Sequence, residues 1–300
     1  MMPISDRIRF SIGFETPPEP LVDVWHCLSQ FLREDRLMPT VFEVSQMWGH
    51  APEIQSEKYL KLSAIEVGAL IVDRSLKGFK VDSGQLSRAM SFFLTQGRGG
   101  ERNARLGCSI EANAKTPDDW SKLIETIMMK FETIGAWQFH GRYSFWQRDT
   151  HADDRYERRW GIRPPGARIW KEPAKHALDT DTLMIDTSLN PGRYKDLSSE
   201  VSFLPTAEMW LGPYFWQYAQ CTKEEVLAAD FFLEKRDTPN YLYLKCWPQP
   251  FTRPDGEQGR MQQRLWKLFF HEDCEWPPGS GTICDEPMYG PPELMPDYKP

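Results

Sequence analysis

The chain has 300 residues, of which 40% are hydrophobic and 26% are charged. These proportions are typical of a globular protein and exclude a chain that is disordered throughout. Its 36 basic and 43 acidic residues give a net charge of −7, which argues against general attraction to nucleic acid or to an anionic membrane and is compatible with a basic protein partner. No stretch reaches the roughly 20 apolar residues of a membrane span, and the first residues lack the pattern of a secretory signal, so we expect a cytoplasmic protein.

The first fifty residues predict a strand, a helix and a second strand. Apolar side chains alternate with polar ones over residues 7–14, which is the pattern of a half-buried strand. The sequence Thr16-Pro17-Pro18-Glu19 is typical of a helix start. One apolar face then predicts a helix over 20–34, and residues 41–48 predict the second strand.

A similar order recurs about a hundred residues later. Residues 106–112 alternate, a Thr-Pro-Asp-Asp sequence begins at position 116, and regular apolar spacing predicts a helix over 117–132. A strand is predicted over 137–146. These features lead to the hypothesis that residues 7–48 and 106–146 are duplicated strand-helix-strand units, although such units are also common in unrelated α+β proteins.

The rest of the chain completes an α+β prediction in which helices pack on an antiparallel or mixed sheet. Further helices are predicted over 85–96, 223–235 and 258–270, and a further strand over 241–247. The predicted organisation has four parts: an α+β unit at 1–150, a charged connecting region at 151–196, a second α+β unit at 197–270, and an acidic, proline-rich tail at 271–300.

Sequence motifs for catalysis are not found. No Glu-x-Lys falls on a convincing strand, as a restriction-type nuclease core requires, and neither the Gly-x-Ser-x-Gly pattern of hydrolases nor a phosphate-binding glycine loop occurs. His271, Cys274 and Cys284 offer three zinc ligands where a structural zinc site needs four. We therefore predict a protein that is not an enzyme, with no catalytic residue, cofactor or metal.

A basic, aromatic segment over 155–175 has the composition of a single-strand binder. Asp153 and Asp154 just before it and Glu157 and Glu172 within it reduce the net charge over 153–175 to +3. A solvated loop with local ion pairs is the favoured interpretation, so no nucleic-acid partner is predicted.

Two features instead favour a protein partner. Tryptophan occurs 12 times and is densest, together with tyrosine and phenylalanine, over 210–218, while the tail has seven acidic residues and one lysine, a net charge of −6. Large aromatic side chains anchor many protein interfaces, and an acidic strip is steered to a basic groove. The candidate partner-binding residues are Asp179, Asp181, Trp210, Tyr214, Trp216, Glu272, Asp273, Glu275, Asp285 and Glu286.

The tryptophan-rich α+β pattern, the Thr-Pro-led helices and the segment Leu-Gly-Pro-Tyr-Phe-Trp at 211–216 resemble the immunity protein 52 family of bacterial polymorphic-toxin systems. The resemblance implies a cytoplasmic α+β protein that binds and neutralises a cognate toxin with a restriction-endonuclease-like nuclease domain, delivered for instance by type VI secretion. Inhibition would occlude the toxin's active site or substrate groove. Two alternatives stay open: a hydrolytic enzyme of unrecognised type, or a scaffold protein.

Overall fold

A computed structural model gives the fold. It describes residues 7–34, 42–46, 60–73, 80–82, 90–96, 104–110, 119–147, 157, 161, 163–164, 166–167, 169–172, 182–185 and 190–272. None of the helices in these residues is long and apolar enough to cross a membrane.

The described elements are helices and strands in mixed order. The helices are α1 (Leu21–Glu34), α2 (Ala64–Asp73), α3 (Ser121–Met128), α4 (Gly141–Phe145), α5 (Lys223–Ala228) and α6 (Gly256–Phe270), with a 3₁₀ helix at Pro213–Gln217. The strands are β1 (Ile8–Phe14), β2 (Phe42–Gln46), β3 (Leu60–Leu62), β4 (Lys80–Asp82), β5 (Met90–Gln96), β6 (Ala104–Ile110), β7 (Thr133–His140), β8 (Ile169–Glu172), β9 (Thr182–Ile185), β10 (Lys195–Asp196), β11 (Ser202–Phe203), β12 (Glu208–Leu211), β13 (Glu234–Asp237) and β14 (Leu242–Lys245).

Ten of these strands form one open sheet in the order β13-β14-β12-β7-β1-β6-β5-β4-β2-β3. Every neighbouring pair is antiparallel. The α+β prediction is therefore confirmed, with an antiparallel sheet. Strands from the predicted second unit, 197–270, continue the same sheet because β12 pairs with β7.

Hydrophobic cores lie on both faces of this sheet. On one face, α1, α2 and α3 cover the apolar side chains of β1, among them Phe10 and Phe14. On the other face, α6 and the 3₁₀ helix cover Trp137 and Met209. The alternating apolar side chains of β1 therefore belong to the core on the α1 face, because side chains two positions apart lie on the same face of a strand.

Three element predictions need correction. Residues 90–96 form a strand where a helix was predicted over 85–96, because β5 pairs along its length with β6 and a short apolar run suits either structure. The strand predicted over 137–146 ends at His140, whose side chain accepts from the backbone N–H of Tyr143 and caps α4. The helix predicted over 223–235 ends at Ala228, after which Glu234–Asp237 pairs as an edge strand.

The two proposed duplicate segments share their order of elements but occupy the sheet differently. One strand, β1, separates β6 from β7, whereas three strands separate β1 from β2. Strand pairing therefore contradicts the hypothesis that residues 7–48 and 106–146 are equivalent units.

Candidate protein-interaction surface

Three chain segments meet at one end of the central strands. β7 lies between β1 and β12, and Thr133 at its start is paired with Phe14 at the end of β1. The strands are antiparallel, so the end of β1, the start of β7 and the end of β12 lie at the same end of the sheet. This brings together Glu15 after β1, Glu132 before β7 and the 3₁₀ helix after β12. The backbone N–H of Glu15 donates to the carbonyl of Glu132 at 3.1 Å.

The 3₁₀ helix is held here by a close backbone approach. A Cβ added to Gly212 would lie 2.0 Å from the carbonyl oxygen of Thr133, so only glycine fits. Pro213 then begins the 3₁₀ helix, where its fixed φ is suitable. Phe215 is fully buried against Phe203 and Phe269, with ring centroids 6.1 and 5.5 Å away, which anchors the turn.

Two carboxylates stand among the side chains of this turn. Glu15 Oε2 accepts from the amide of Gln217 at 3.1 Å and from the hydroxyl of Tyr218 at 3.3 Å. Glu132 accepts from the hydroxyl of Tyr214. These donors are neutral, so the hydrogen bonds orient the carboxylates without cancelling their charges. We call Glu15, Glu132, Tyr214, Gln217 and Tyr218 the acidic aromatic surface.

The nearby carboxylates make the Tyr214 phenol harder to ionise. The hydrogen bond to Glu132 and, less strongly, burial and the nearby carboxylate charges raise the pKa of the Tyr214 phenol above its ordinary value. The segments 15–20, 131–132 and 213–220 together contain three acidic residues and no basic one. Lys130, two residues before Glu132 in the sequence, is hydrogen-bonded to the thiol of Cys27 on α1. The three segments together therefore carry a net charge of −3.

Such a surface is suited to contacts with cationic side chains. Carboxylates accept charge-assisted hydrogen bonds from arginine and lysine. Tyrosine adds a large apolar ring with a polar tip, which suits it to interfaces. The arrangement therefore places charged and aromatic recognition groups on one surface.

The predicted aromatic residues divide between surface and core. Tyr214 and Trp216 are half-buried members of the 3₁₀ helix. Trp210 is fully buried on β12, and its indole N–H donates to Glu125 at 3.2 Å. The prediction that Trp210 binds a partner therefore needs correction: it is a core residue, because its side chain points from the sheet towards α3.

Of the acidic residues in the tail, Glu272 lies within the described residues. It accepts from Arg193 at 2.8 Å and from Lys195 at 2.5 Å. Burial tends to raise the pKa of this carboxyl, but the hydrogen bonds from Lys195 and Arg193 lower it below its ordinary value. Glu272 is thus ionised and engaged within the chain. Asp179, Asp181, Asp273, Glu275, Asp285 and Glu286 lie outside the described residues.

A small pocket lies between β7, α4 and the segment before β12. Its lining includes His140, Tyr143, Ser144 and Tyr194, and it has room for about one water molecule. Ser144 and Tyr194 share a hydrogen bond of 2.8 Å between their hydroxyl oxygens. No group of three or more His, Cys, Asp or Glu side chains within the described ranges is placed to hold a metal.

Sequence reasoning missed Glu15 and Glu132. Each lies next to a strand end, a position that carries no signal of its own. Their meeting depends on the β1–β7 register, which joins residues more than a hundred positions apart. No known family model and no curated protein matches this chain, so the resemblance to immunity protein 52 stays a prediction.

Proposed function

We propose that this chain is an immunity protein that binds and neutralises a cognate secreted nuclease-type toxin. The observation that carries the proposal is the acidic aromatic surface, where Glu15 and Glu132 are oriented by the side chains of Gln217, Tyr218 and Tyr214. The toxin would be that of a polymorphic-toxin system, delivered for instance by type VI secretion, and neutralised in the cytoplasm.

Charge complementarity supports this class of partner. A nuclease must receive phosphates, so its substrate groove is electropositive. An acidic surface is steered towards such a groove and, once bound, occludes it. The half-buried rings of Tyr214, Trp216 and Tyr218 would supply the desolvated contacts that slow dissociation.

Co-expression provides the test. The chain is produced together with the candidate toxin encoded beside its gene, and growth rescue and co-purification are measured. Glu132→Lys should abolish rescue and weaken co-purification, because a lysine would face the toxin's own cations. Glu257→Lys makes the same change on α6, where the side chain is 77% exposed, and should retain rescue.

Two results would overturn the proposal. Failure of the unmodified chain to rescue growth or to co-purify with the toxin would reject the function. Equal loss of rescue by Glu132→Lys and Glu257→Lys would reject the acidic aromatic surface as the interface. Circular dichroism of both variants distinguishes these results from loss of folding.

A further inference from the structure

β13 lies at one edge of the ten-stranded sheet, and among the described residues it pairs with β14 alone. All four of its residues, from Glu234 to Asp237, are exposed. An edge strand presents a row of backbone N–H and C=O groups that its own sheet does not use. The pairing with β14 determines which residues of β13 present them.

The hydrogen bonds to β14 show which backbone groups face outwards. The N–H of Thr238 donates to the carbonyl of Tyr241 at 3.0 Å, so these two residues form the hydrogen-bonded pair next to the β13–β14 turn. Hydrogen-bonded and non-hydrogen-bonded pairs alternate along an antiparallel ladder. Arg236 therefore also directs its backbone groups to β14, whereas Lys235 and Asp237 direct theirs away from the sheet.

The charged side chains of β13 are held by the chain's own helices. Arg236 Nη2 lies 2.6 Å from Glu125 Oε1 on α3. Lys235 Nζ donates to two carbonyl oxygens at the end of α5, at 2.6 and 2.8 Å, and Asp237 accepts from Lys223 at the start of α5, at 2.6 Å. Charged side chains protect many edge strands from pairing, but these three are drawn to the two faces of the sheet, which leaves the outer backbone groups accessible.

A second copy of the chain fits this edge. Copies related by a twofold axis bring β13 antiparallel to itself, and hydrogen-bonded pairs form only where the backbone groups of both copies face outwards. A register that places Lys235 opposite Arg236 is therefore excluded, because Arg236 faces β14. In an allowed register, Lys235 lies opposite Asp237 of the second copy, and Asp237 lies opposite its Lys235.

Charge selects this register among the allowed ones. Registers centred on Lys235 or on Asp237 place like charges opposite each other, whereas the Lys235–Asp237 register makes the same opposite-charge pair twice. Arg236 then lies opposite Arg236 of the second copy on the other face, where each guanidinium already has Glu125 as its partner. The sequence of β13 is thus self-complementary in this register.

An exposed apolar side chain lies beside the same edge. Leu233, directly before β13, is 62% exposed. The Lys235–Asp237 register brings it level with Pro239 of the second copy, which is also exposed. Contact between these two residues would remove apolar surface from water at both ends of the paired strands.

We infer that two copies of this chain associate through β13, which continues the sheet across a twofold axis into the sheet of the second copy. Each Lys235–Asp237 pair exchanges both of its backbone hydrogen bonds and adds an ion pair. The inference does not depend on the proposed function, because β13 shares no residue with the acidic aromatic surface. A contact of one short strand predicts a weak dimer that is populated at high protein concentration.

Sedimentation equilibrium of the unmodified chain between about 1 µM and about 500 µM tests the association. The apparent mass should rise from that of one chain towards that of two. Lys235→Asp places carboxylates opposite carboxylates, and Asp237→Lys places lysines opposite lysines, so each variant alone should dimerise at least about tenfold more weakly. An equimolar mixture of the two variants restores opposite charges and should form a heterodimer. Glu257→Lys on α6 is the control and should dimerise like the unmodified chain.

Backbone amide exchange of the unmodified chain locates the contact. The amides of Lys235 and Asp237 should exchange about fivefold or more slowly at the highest concentration than at the lowest. The amide of Arg236, which already faces β14, should change less. This measurement needs no variant and therefore stands even where a substitution prevents folding, which circular dichroism would reveal.

Four results would overturn the inference. The unmodified chain could remain monomeric at the highest concentration, or the amides of Lys235 and Asp237 could exchange at rates independent of concentration. Undiminished dimers of both single variants would place the association elsewhere on the molecule. Folded single variants that lose the dimer, without recovery in their mixture, would reject the Lys235–Asp237 register.

Discussion

Trp210 and Glu125 join the sheet to the helix that covers it: the indole N–H on β12 donates to the carboxylate on α3 at 3.2 Å, from a fully buried ring. The same carboxylate accepts from Arg236 on β13 at 2.6 Å. One side chain of α3 therefore accepts hydrogen bonds from two strands, β12 and β13, and ties this end of the sheet to the helix.

Glu125→Ala should destabilise the fold by about 1–3 kcal/mol, because it leaves the buried indole N–H of Trp210 without its acceptor. Urea unfolding followed by tryptophan fluorescence measures the change in the free energy of unfolding. Glu257→Ala on the exposed side of α6 is the control and should stay within about 0.5 kcal/mol of the unmodified chain. Equal effects would show that the Trp210 hydrogen bond contributes little.

Gly212→Ala should cost about 3 kcal/mol, because its Cβ would lie 2.0 Å from the backbone oxygen of Thr133. Gly256→Ala tests a different cause: that position has φ +59° and nothing within 4 Å of an added Cβ, so only the left-handed conformation is penalised, by about 1–2 kcal/mol. Free energies of unfolding compare the two. A milder effect at Gly212 than at Gly256 would contradict the close approach that positions the 3₁₀ helix.

The Glu272 ion pairs should stabilise the fold in a pH-dependent way. Burial raises the pKa of this carboxyl, but hydrogen bonds from Lys195 and Arg193 outweigh it, so the pKa is lower folded than unfolded. The contribution is therefore present above the ordinary pKa of 4.5 and is lost as the pH falls through the folded value. The stability difference between the unmodified chain and Glu272→Gln should shrink as the pH falls below the ordinary pKa of 4.5; a constant difference would contradict this.

The described cysteines should be unreactive in the folded chain. Burial raises the pKa of the Cys246 thiol to about 12 and, with a smaller effect of the Glu225 charge, that of Cys221 to about 11. Because the thiolate is the reactive form, chains that retain only Cys221 or only Cys246 should react with a disulfide reagent at neutral pH only after unfolding. Rapid reaction of either native chain would show that its thiol is accessible.

Local periodicity predicts the elements that pack on the cores, and it fails where distant pairing decides the structure. The helix predicted over 20–34 occurs as Leu21–Glu34, because one face of it meets the sheet along its whole length. Residues 90–96 have a run of apolar side chains that fits a helix or a strand, and pairing with β4 and β6 selects the strand.

The candidate surface shows the same limit. Tyr214 and Trp216 are visible in the sequence as part of an aromatic cluster. Glu15 and Glu132 are not visible as their neighbours, because the contacts that bring them here are distant in sequence. The Thr16–Glu132 hydrogen bond joins residues 116 positions apart, and the Tyr218–Glu15 hydrogen bond joins residues 203 positions apart. Those contacts follow from β7 lying between β1 and β12, which no local pattern predicts.

The central place of β7 has a consequence for synthesis of the protein. Its side chains Ile134, Trp137 and Phe139 pack in a core that is completed by residues 201–270. During synthesis these side chains therefore stay exposed until residues 201–270 have left the ribosome. β7 also has an unpaired edge until β12 is made. A chain interrupted before residue 201 would expose an apolar face and an open strand edge together, a combination that favours aggregation and capture by chaperones.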